Sequence, residues 1–265
     1  MNGIEHITQA FQPARARGSA ALMPYFTLGY PTAQDSLAVV ETLACSGADL
    51  IELGVPFSDP LADGPTIQRS TQVALRQGMT VARCLEMVHE LRQRGVSQPL
   101  LLMGYINPLL SYGILRFIAD AARMGADGLI LPDLPAEEAG EVEACCQQHG
   151  LALVYLLAPT STPERIALLT RRSTGFLYLV SIAGVTGARS SLPPDLQAFV
   201  ARVRDQTTLP LAVGFGIATP EQAMQVGQIA DGVIIGSALI NATGEAADPA
   251  AAAGIYLNAI RQALV

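Results

Sequence analysis

The chain contains no lysine and no tryptophan, and all 16 of its basic residues are arginine. Without a lysine amine, no Schiff base with a carbonyl substrate can form and pyridoxal phosphate has no covalent anchor. Histidine is scarce too. His6, His89 and His149 are far apart in sequence; none pairs at metal-ligand spacing, and each reads as a solvated histidine on a helix-like stretch, so no metal site is expected. The four cysteines, Cys45, Cys84, Cys145 and Cys146, form no C-x-x-C pair and read as reduced, structural thiols of a cytoplasmic protein. No uninterrupted apolar run approaches the ~20 residues of a membrane span, and residues 1–18 lack the apolar core of a secretory signal. Positive charge is in the minority: 23 acidic residues give a net charge of −7 and a pI near 4.9. Such a surface suits neither nucleic acid nor anionic lipid, and an anionic substrate must be held by local groups rather than drawn in from a distance.

What is present is apolar mass with a regular rhythm. Half of the 265 residues are hydrophobic and 15% are charged, enough to bury a large core. Strand-like runs at 21–27, 50–55, 100–105, 128–131, 152–157, 176–181, 211–214 and 232–235 alternate with helix-like stretches at 33–45, 66–75, 81–94, 114–124, 137–149, 163–171, 196–205, 220–226 and 250–264. Alternation of this kind predicts a parallel sheet covered by helices. Eight units in about 250 residues predict a single closed (β/α)8 TIM barrel over 1–265, with an open doubly wound sheet as the structural rival. Ile4, Ile7 and Phe11 repeat at helical spacing ahead of the first strand and predict an extra amphipathic N-terminal helix. Asp248-Pro249, Thr219-Pro220 and Thr162-Pro163 read as N-cap followed by N1, and Gly47, Gly125 and Gly150 as C-terminal stops. No linker, internal repeat or low-complexity tract stands out.

In a barrel the chemistry sits at the C-terminal ends of the strands. At the end of the second strand Leu50, Glu52 and Gly54 share one face by period-two alternation. Glu52 is thus a carboxylate in an apolar wall, either a general acid or base with a raised pKa or a structural glutamate with a buried partner. The loop that follows, 56–65, holds three prolines with Asp59 and Asp63 and is shaped rather than floppy. Composition does not choose between the two aspartates, although Asp63 has the more cap-like position. Three glycine-bearing segments follow the late strands: Gly184-Val185-Thr186-Gly187, Gly214-Phe215-Gly216 and Gly236-Ser237. Together they predict a phosphate cradle of backbone N–H groups, completed by a short extra helix at 237–241 after strand eight and lacking a basic residue at the ends of strands seven and eight. Tyr178 shares a face with Phe176 and Val180 and either packs in the core or offers its hydroxyl to the pocket. Tyr25, Leu102, Tyr105, Leu129, Leu131 and Leu156 are candidates for an apolar wall that suits a flat aromatic substrate.

The run Ile51-Glu52-Leu53-Gly54-Val55-Pro56-Phe57-Ser58-Asp59-Pro60-Leu61-Ala62-Asp63-Gly64-Pro65-Thr66-Ile67-Gln68 resembles the signature of tryptophan synthase alpha subunits. The resemblance continues through Pro24-Tyr25-Phe26-Thr27-Leu28-Gly29, Met103-Gly104-Tyr105-Ile106-Asn107-Pro108, Asp133-Leu134-Pro135, Gly184-Val185-Thr186-Gly187, Gly214-Phe215-Gly216-Ile217 and Gly236-Ser237-Ala238, in order along essentially the whole chain. It implies retro-aldol cleavage of indole-3-glycerol phosphate to indole and glyceraldehyde 3-phosphate in L-tryptophan biosynthesis. It also implies a cofactor-free active site and a complex of two alpha with two beta subunits, pyridoxal phosphate belonging to the beta subunit alone. By position, Glu52 and Asp63 match the family's catalytic carboxylates and Tyr178 a tyrosine lining the site. Gly187, Gly216, Gly236 and Ser237 match phosphate-binding positions, with Phe215 and Thr186 beside them. Segments 56–63 and 184–192 match mobile loops that close over substrate and signal to the beta subunit. Ile182 and Tyr30 depart from residues that some members carry, arginine and aspartate respectively, which bears on loop closure rather than on chemistry. Two other functions fit the same chain: a free-standing indole-3-glycerol phosphate lyase, and a catalytically silent regulatory partner of a beta subunit.

Overall fold

A computed structural model describes residues 1–181, 193–214 and 216–264. All the strands are parallel: β1 (Ala21–Thr27), β2 (Ile51–Gly54), β3 (Leu100–Met103), β4 (Gly128–Ile130), β5 (Ala152–Val154), β6 (Leu156–Leu157), β7 (Leu177–Val180), β8 (Leu211–Gly214) and β9 (Gly232–Ile235). The order β5-β4-β3-β2-β1-β9-β8-β7-β6 runs around a ring. β5 and β6 are two halves of the expected fifth strand, so β7, β8 and β9 are the expected sixth, seventh and eighth. The interruption is Tyr155. Its N–H donates to the Ser173 hydroxyl at 3.1 Å instead of joining the ladder, while its carbonyl accepts the N–H of Tyr178 at 3.1 Å. Across that residue β5 pairs with β4 and β6 with β7, which closes the (β/α)8 barrel and excludes the open sheet.

Two apolar layers follow from strand alternation. Ala21, Met23, Leu50, Leu101, Ile130, Ala152, Val154, Phe176, Tyr178, Ala212 and Ile234 fill the barrel. Residues of the other parity, including Phe26, Ile51, Leu53, Leu102, Leu129, Leu131 and Val233, pack outward under the helices. Leu102, Leu129 and Leu131 are therefore sheet–helix core and not pocket wall. Parity, which a continuous leucine run conceals, decides the matter.

The helices begin where their caps predict. Thr162 accepts from the N–H of Arg165, Thr219 forms a capping box with Gln222, and Asp248 accepts from the N–H of Ala251, each followed by proline at N1. The expected helix at 137–149 divides into a 3₁₀ turn, Ala136–Glu138, and an α-helix, Gly140–His149. Helix Ile106–Tyr112 was not expected, because it contains Pro108. The proline stands in the first turn, where no intrahelical N–H bond is lost. The N-terminal helix α1 (Gly3–Ala10), with Phe11 just after it, closes the bottom of the barrel. Ile7 and Phe11 are buried against the interior residues, and the Phe11 ring lies 5.8 Å from that of Phe176. His6 is not simply solvated: its Nδ1 lies 2.7 Å from Asp127.

At the same end of the barrel one device occurs three times. Asp49, Asp127 and Asp231 each stand just before a strand. Each donates its backbone N–H to the carbonyl of a leucine near the start of the preceding strand, Leu22, Leu100 and Leu211 respectively. Each carboxylate accepts the N–H of that same leucine at 2.8 Å. A helix arginine completes each clamp: Arg261 on Asp49, Arg92 on Asp127 and Arg204 on Asp231. The clamps fix the register of β1/β2, β3/β4 and β8/β9. They follow a short local repeat, Ala48-Asp49, Ala126-Asp127 and Ala230-Asp231, that is too brief to register as a repeat in the sequence.

Breaking a clamp leaves an arginine and a leucine N–H without their acceptor. Asp127→Ala is expected to cost about 3 kcal/mol in urea unfolding. Asp231→Ala is expected to cost about 1 kcal/mol, because that pair is more open to water, with side chains 37% and 29% exposed against 21% and 11% for Arg92 and Asp127. Equal costs would refute the burial argument.

Candidate active site

At the C-terminal end of the barrel a cavity is lined by residues of β1, β2, β3, β7 and β9 and of the segments after β2, β8 and β9. Glu52 enters from β2, with no side-chain area open to solvent and neither carboxyl oxygen hydrogen-bonded among the described residues. Its position follows from β2 itself: Ile51 and Leu53 face the helices, so Glu52 must face the barrel. Removal from water pushes its carboxyl from an ordinary 4.5 up to about 8.

Asp63 faces the same cavity from the end of the loop after β2, one residue before Gly64, the N-cap of α4 (Pro65–Arg76). It is 9% exposed. Burial raises its carboxyl to about 6, against the lowering effect of the neighbouring Tyr105 hydroxyl. Tyr105 does not line the main cavity. It stands behind Asp63 in a small adjoining space, accepts the N–H of Ala62 at 3.0 Å and packs on Phe57 with ring centroids 5.5 Å apart. Asp59 is exposed and hydrogen-bonded by Ser58; it does not line the cavity, so of the two loop aspartates only Asp63 reaches the pocket.

Tyr25 on β1 and Tyr178 on β7 flank Glu52, and both phenols are pushed well above their ordinary value by burial and by the nearby carboxylates. Glycines make room for them. A Cβ at Gly54 would collide with the Tyr25 hydroxyl, and one at Gly214 with that of Tyr178. The Tyr25 hydroxyl heads a buried chain: it lies 3.4 Å from Thr27 Oγ1, which lies 2.7 Å from Ser70 Oγ, and Ser70 donates to the Ile67 carbonyl.

The opposite wall is formed by Gly216, Ile217, Gly236, Ser237 and Ala238. Gly216 adopts φ +84°, which disfavours any side chain there. Gly236 is the N-cap of a helix, Ser237–Gly244. That helix is longer than the expected 237–241, and its first N–H groups have no acceptor within the helix. Glu52 and Asp63 are the only carboxylic acids among the described lining residues and no arginine is among them, so positive potential on this wall comes from the helix terminus.

The structure thus brings together Glu52, Asp63, Tyr178, Tyr25, Gly216, Gly236 and Ser237, with Tyr105 one layer back. Thr186, Gly187 and Phe215, together with Ile182 and the segment 184–192, lie outside the described residues. Met103, Ile67 and Ile234 complete the apolar lining and were not singled out from sequence. Strand parity carried the signal for Met103 and Ile234, both in register with the inward set.

Comparison with known proteins agrees with the geometry. The sequence model of the family described as Tryptophan synthase alpha chain matches residues 11–263. The tryptophan synthase alpha chain of Chloroflexus aurantiacus is 52% identical over 238 residues, covering 90% of each chain. That of Geobacter sulfurreducens is 45% identical over 263 residues, covering 98% of this chain and 99% of its own. Among solved structures, the tryptophan synthase alpha subunit of Legionella pneumophila superposes with a TM-score of 0.91 at 42% identity, covering all of this chain and 98% of the other. A (β/α)8 barrel with two buried carboxylates at its mouth, matched end to end by these relatives, places the chain in the tryptophan synthase alpha chain family.

Proposed function

We propose that the cavity cleaves indole-3-glycerol phosphate to indole and glyceraldehyde 3-phosphate, the reaction of this family, with Glu52 and Asp63 as its catalytic groups. The observation that carries this reading is the pairing of two carboxyls in one apolar pocket, one unpartnered and raised to about 8, the other raised only to about 6. Between those values Glu52 holds its proton and Asp63 is ionised, which is a division into acid and anion.

The bond to be broken joins indole C3 to the hydroxyl-bearing carbon of the side chain. Glu52 delivers its proton to C3, and the ring becomes an indolenine with positive charge on nitrogen. Asp63, as the anion, accepts the ring N–H and stabilises that charge. The Glu52 carboxylate then takes the proton of the side-chain hydroxyl. The C–C electron pair returns to the ring, the aldehyde leaves as glyceraldehyde 3-phosphate, and Glu52 is protonated again. Each general acid–base step of this kind contributes about 10²–10⁴-fold. Tyr178 and Tyr25 bound the ring-binding space, and Tyr105 supports Asp63 from behind. The phosphate lies against Gly216, Gly236 and Ser237; this remote anchor orients the reacting carbon. These steps need neither metal nor organic cofactor.

The chain is further proposed to act in the cytoplasm as the alpha partner of a tryptophan synthase beta subunit. Indole release from indole-3-glycerol phosphate, measured with and without a beta subunit, tests both claims. Slow release alone and strong acceleration in the complex are expected. Fast release without a partner would assign a free-standing lyase, and no release in either case would assign a silent partner.

Two further outcomes follow from the titrations. A kcat/KM profile is expected to rise through about pH 6 as Asp63 ionises and to fall through about pH 8 as Glu52 loses its proton. Asp63→Asn and Glu52→Gln each keep the fold and lower turnover at least 100-fold; near-normal turnover in either would remove its assigned role. Because the folded protein holds the Glu52 proton up to about 8, against an ordinary 4.5, wild-type stability declines as pH rises through that window. Glu52→Gln escapes the decline. Its stability relative to wild type is expected to grow by a few kcal/mol from pH 4.5 to 8, on the order of 1.4 kcal/mol per unit at most, and a difference independent of pH in urea melts would contradict the burial of an unpaired carboxyl.

A further inference from the structure

Gln68 touches no wall of the cavity, yet its side chain is bonded to the residue that carries the pocket's anion. Its Nε2 donates to the backbone carbonyl of Asp63 at 2.8 Å. The position in the helix explains what this bond does. Gly64 is the N-cap of α4 and Pro65 stands at N1, so Asp63 is the residue before the cap and Gln68 is the fourth residue of the helix. Those are the two positions that a hydrophobic staple joins in other helices, where the contact fixes the angle at which the chain enters. A staple here would require the Asp63 side chain to lie on the helix. Instead the backbone of Asp63 is held by an amide, and its carboxyl is left to line the cavity.

Gly64 has no side chain with which to cap the helix. Two restraints lie on the other side of Asp63. Its N–H donates to the Pro60 carbonyl at 3.1 Å, and the N–H of Ala62 donates to Tyr105 Oη at 3.0 Å. Gln68 adds a side-chain restraint from the helix side. The helix in turn is fastened to β1 by Ser70, whose hydroxyl lies 2.7 Å from that of Thr27, so a bond from Gln68 refers Asp63 to the same barrel wall that carries Tyr25 and Glu52.

We propose that Gln68 is a positioning residue for Asp63: the amide-to-carbonyl bond between the fourth residue of α4 and the residue before its cap sets how far the Asp63 carboxyl reaches into the pocket. This rests on the role given to Asp63 above. Once the bond is lost, the turn between Pro60 and Gly64 relaxes outward. The carboxyl then regains water, and the desolvation that holds its titration near 6 weakens.

Gln68→Met keeps the length of the side chain and the helix propensity at an exposed position, and removes the amide that donates to Asp63. The kcat/KM plateau is expected to fall about tenfold, in line with small misplacements of a catalytic group. The acid limb is expected to move down by about one unit while the alkaline limb, set by Glu52, stays in place. Gln72→Met is the control, since Gln72 lies one turn further on and bonds the Ser58 carbonyl instead; its acid limb stays where the wild type has it. The titration of the Asp63 carboxyl is also followed by carbon-13 NMR in the free protein, where no turnover is needed. A lower Asp63 pKa in Gln68→Met but not in Gln72→Met supports the positioning role, even in a protein that fails to cleave indole-3-glycerol phosphate. An unmoved Asp63 titration overturns it, and if wild-type turnover is intact the proposed function survives that result.

Discussion

Parallel strands present alternate residues to opposite faces, and a closed barrel turns that alternation into an absolute distinction between inside and outside. Most of what is particular about this chain descends from it. Ile51 and Leu53 pack under the helices, and the single residue between them has nowhere to go but the barrel interior. A carboxylate placed there by backbone geometry cannot turn away to water. Its pKa rises because the fold leaves it no alternative, and a proton is held near neutral pH at the mouth of an apolar pocket. The same parity brings Tyr25 beside Glu52 in the β1/β2 register and sets glycines at 54 and 214 opposite the phenols.

The two ends of the barrel divide stability and chemistry between them. At the N-terminal end polar groups are satisfied: three aspartates each accept a strand N–H and an arginine, and α1 seals the opening with Ile7 and Phe11. At the C-terminal end satisfaction is withheld. Glu52 has no partner among the described residues, and the glycine-bearing wall offers a helix terminus rather than a cation. A fully paired carboxylate would titrate low and donate nothing. Acid–base chemistry by a side chain is best served by a group that the rest of the structure is stable enough to leave unpaired.

Much of this was legible in the residues, and the exceptions have physical reasons. The cap-and-proline pairs at Thr162, Thr219 and Asp248 mark helix starts because capping is a local interaction. Glu52 stood out because a lone charge in an apolar strand has few explanations. Leu102, Leu129 and Leu131 were misplaced as pocket wall because a run such as Leu100-Leu101-Leu102 is apolar on both faces, and only pairing with β2 and β4 reveals which leucine looks inward. Helix Ile106–Tyr112 hid behind Pro108. The clamps of Asp49, Asp127 and Asp231 were invisible because each aspartate's partners lie 20 or more residues away in the chain.

By itself the sequence determined most of the elements, their strand–helix alternation, the family signature and the exclusion of lysine chemistry. The elements and their alternation rest on periodicity and caps, the signature on resemblance and the exclusion on residue inventory, and none of these needs contacts between distant segments. Tertiary structure alone decided that Tyr105 stands behind Asp63 rather than on the cavity wall, that Tyr155 closes the ring, and that Gln68 bonds the Asp63 carbonyl. Each is a relation between segments that meet only once the barrel has closed, and desolvation, which sets the two carboxyls apart, does not exist before that closure.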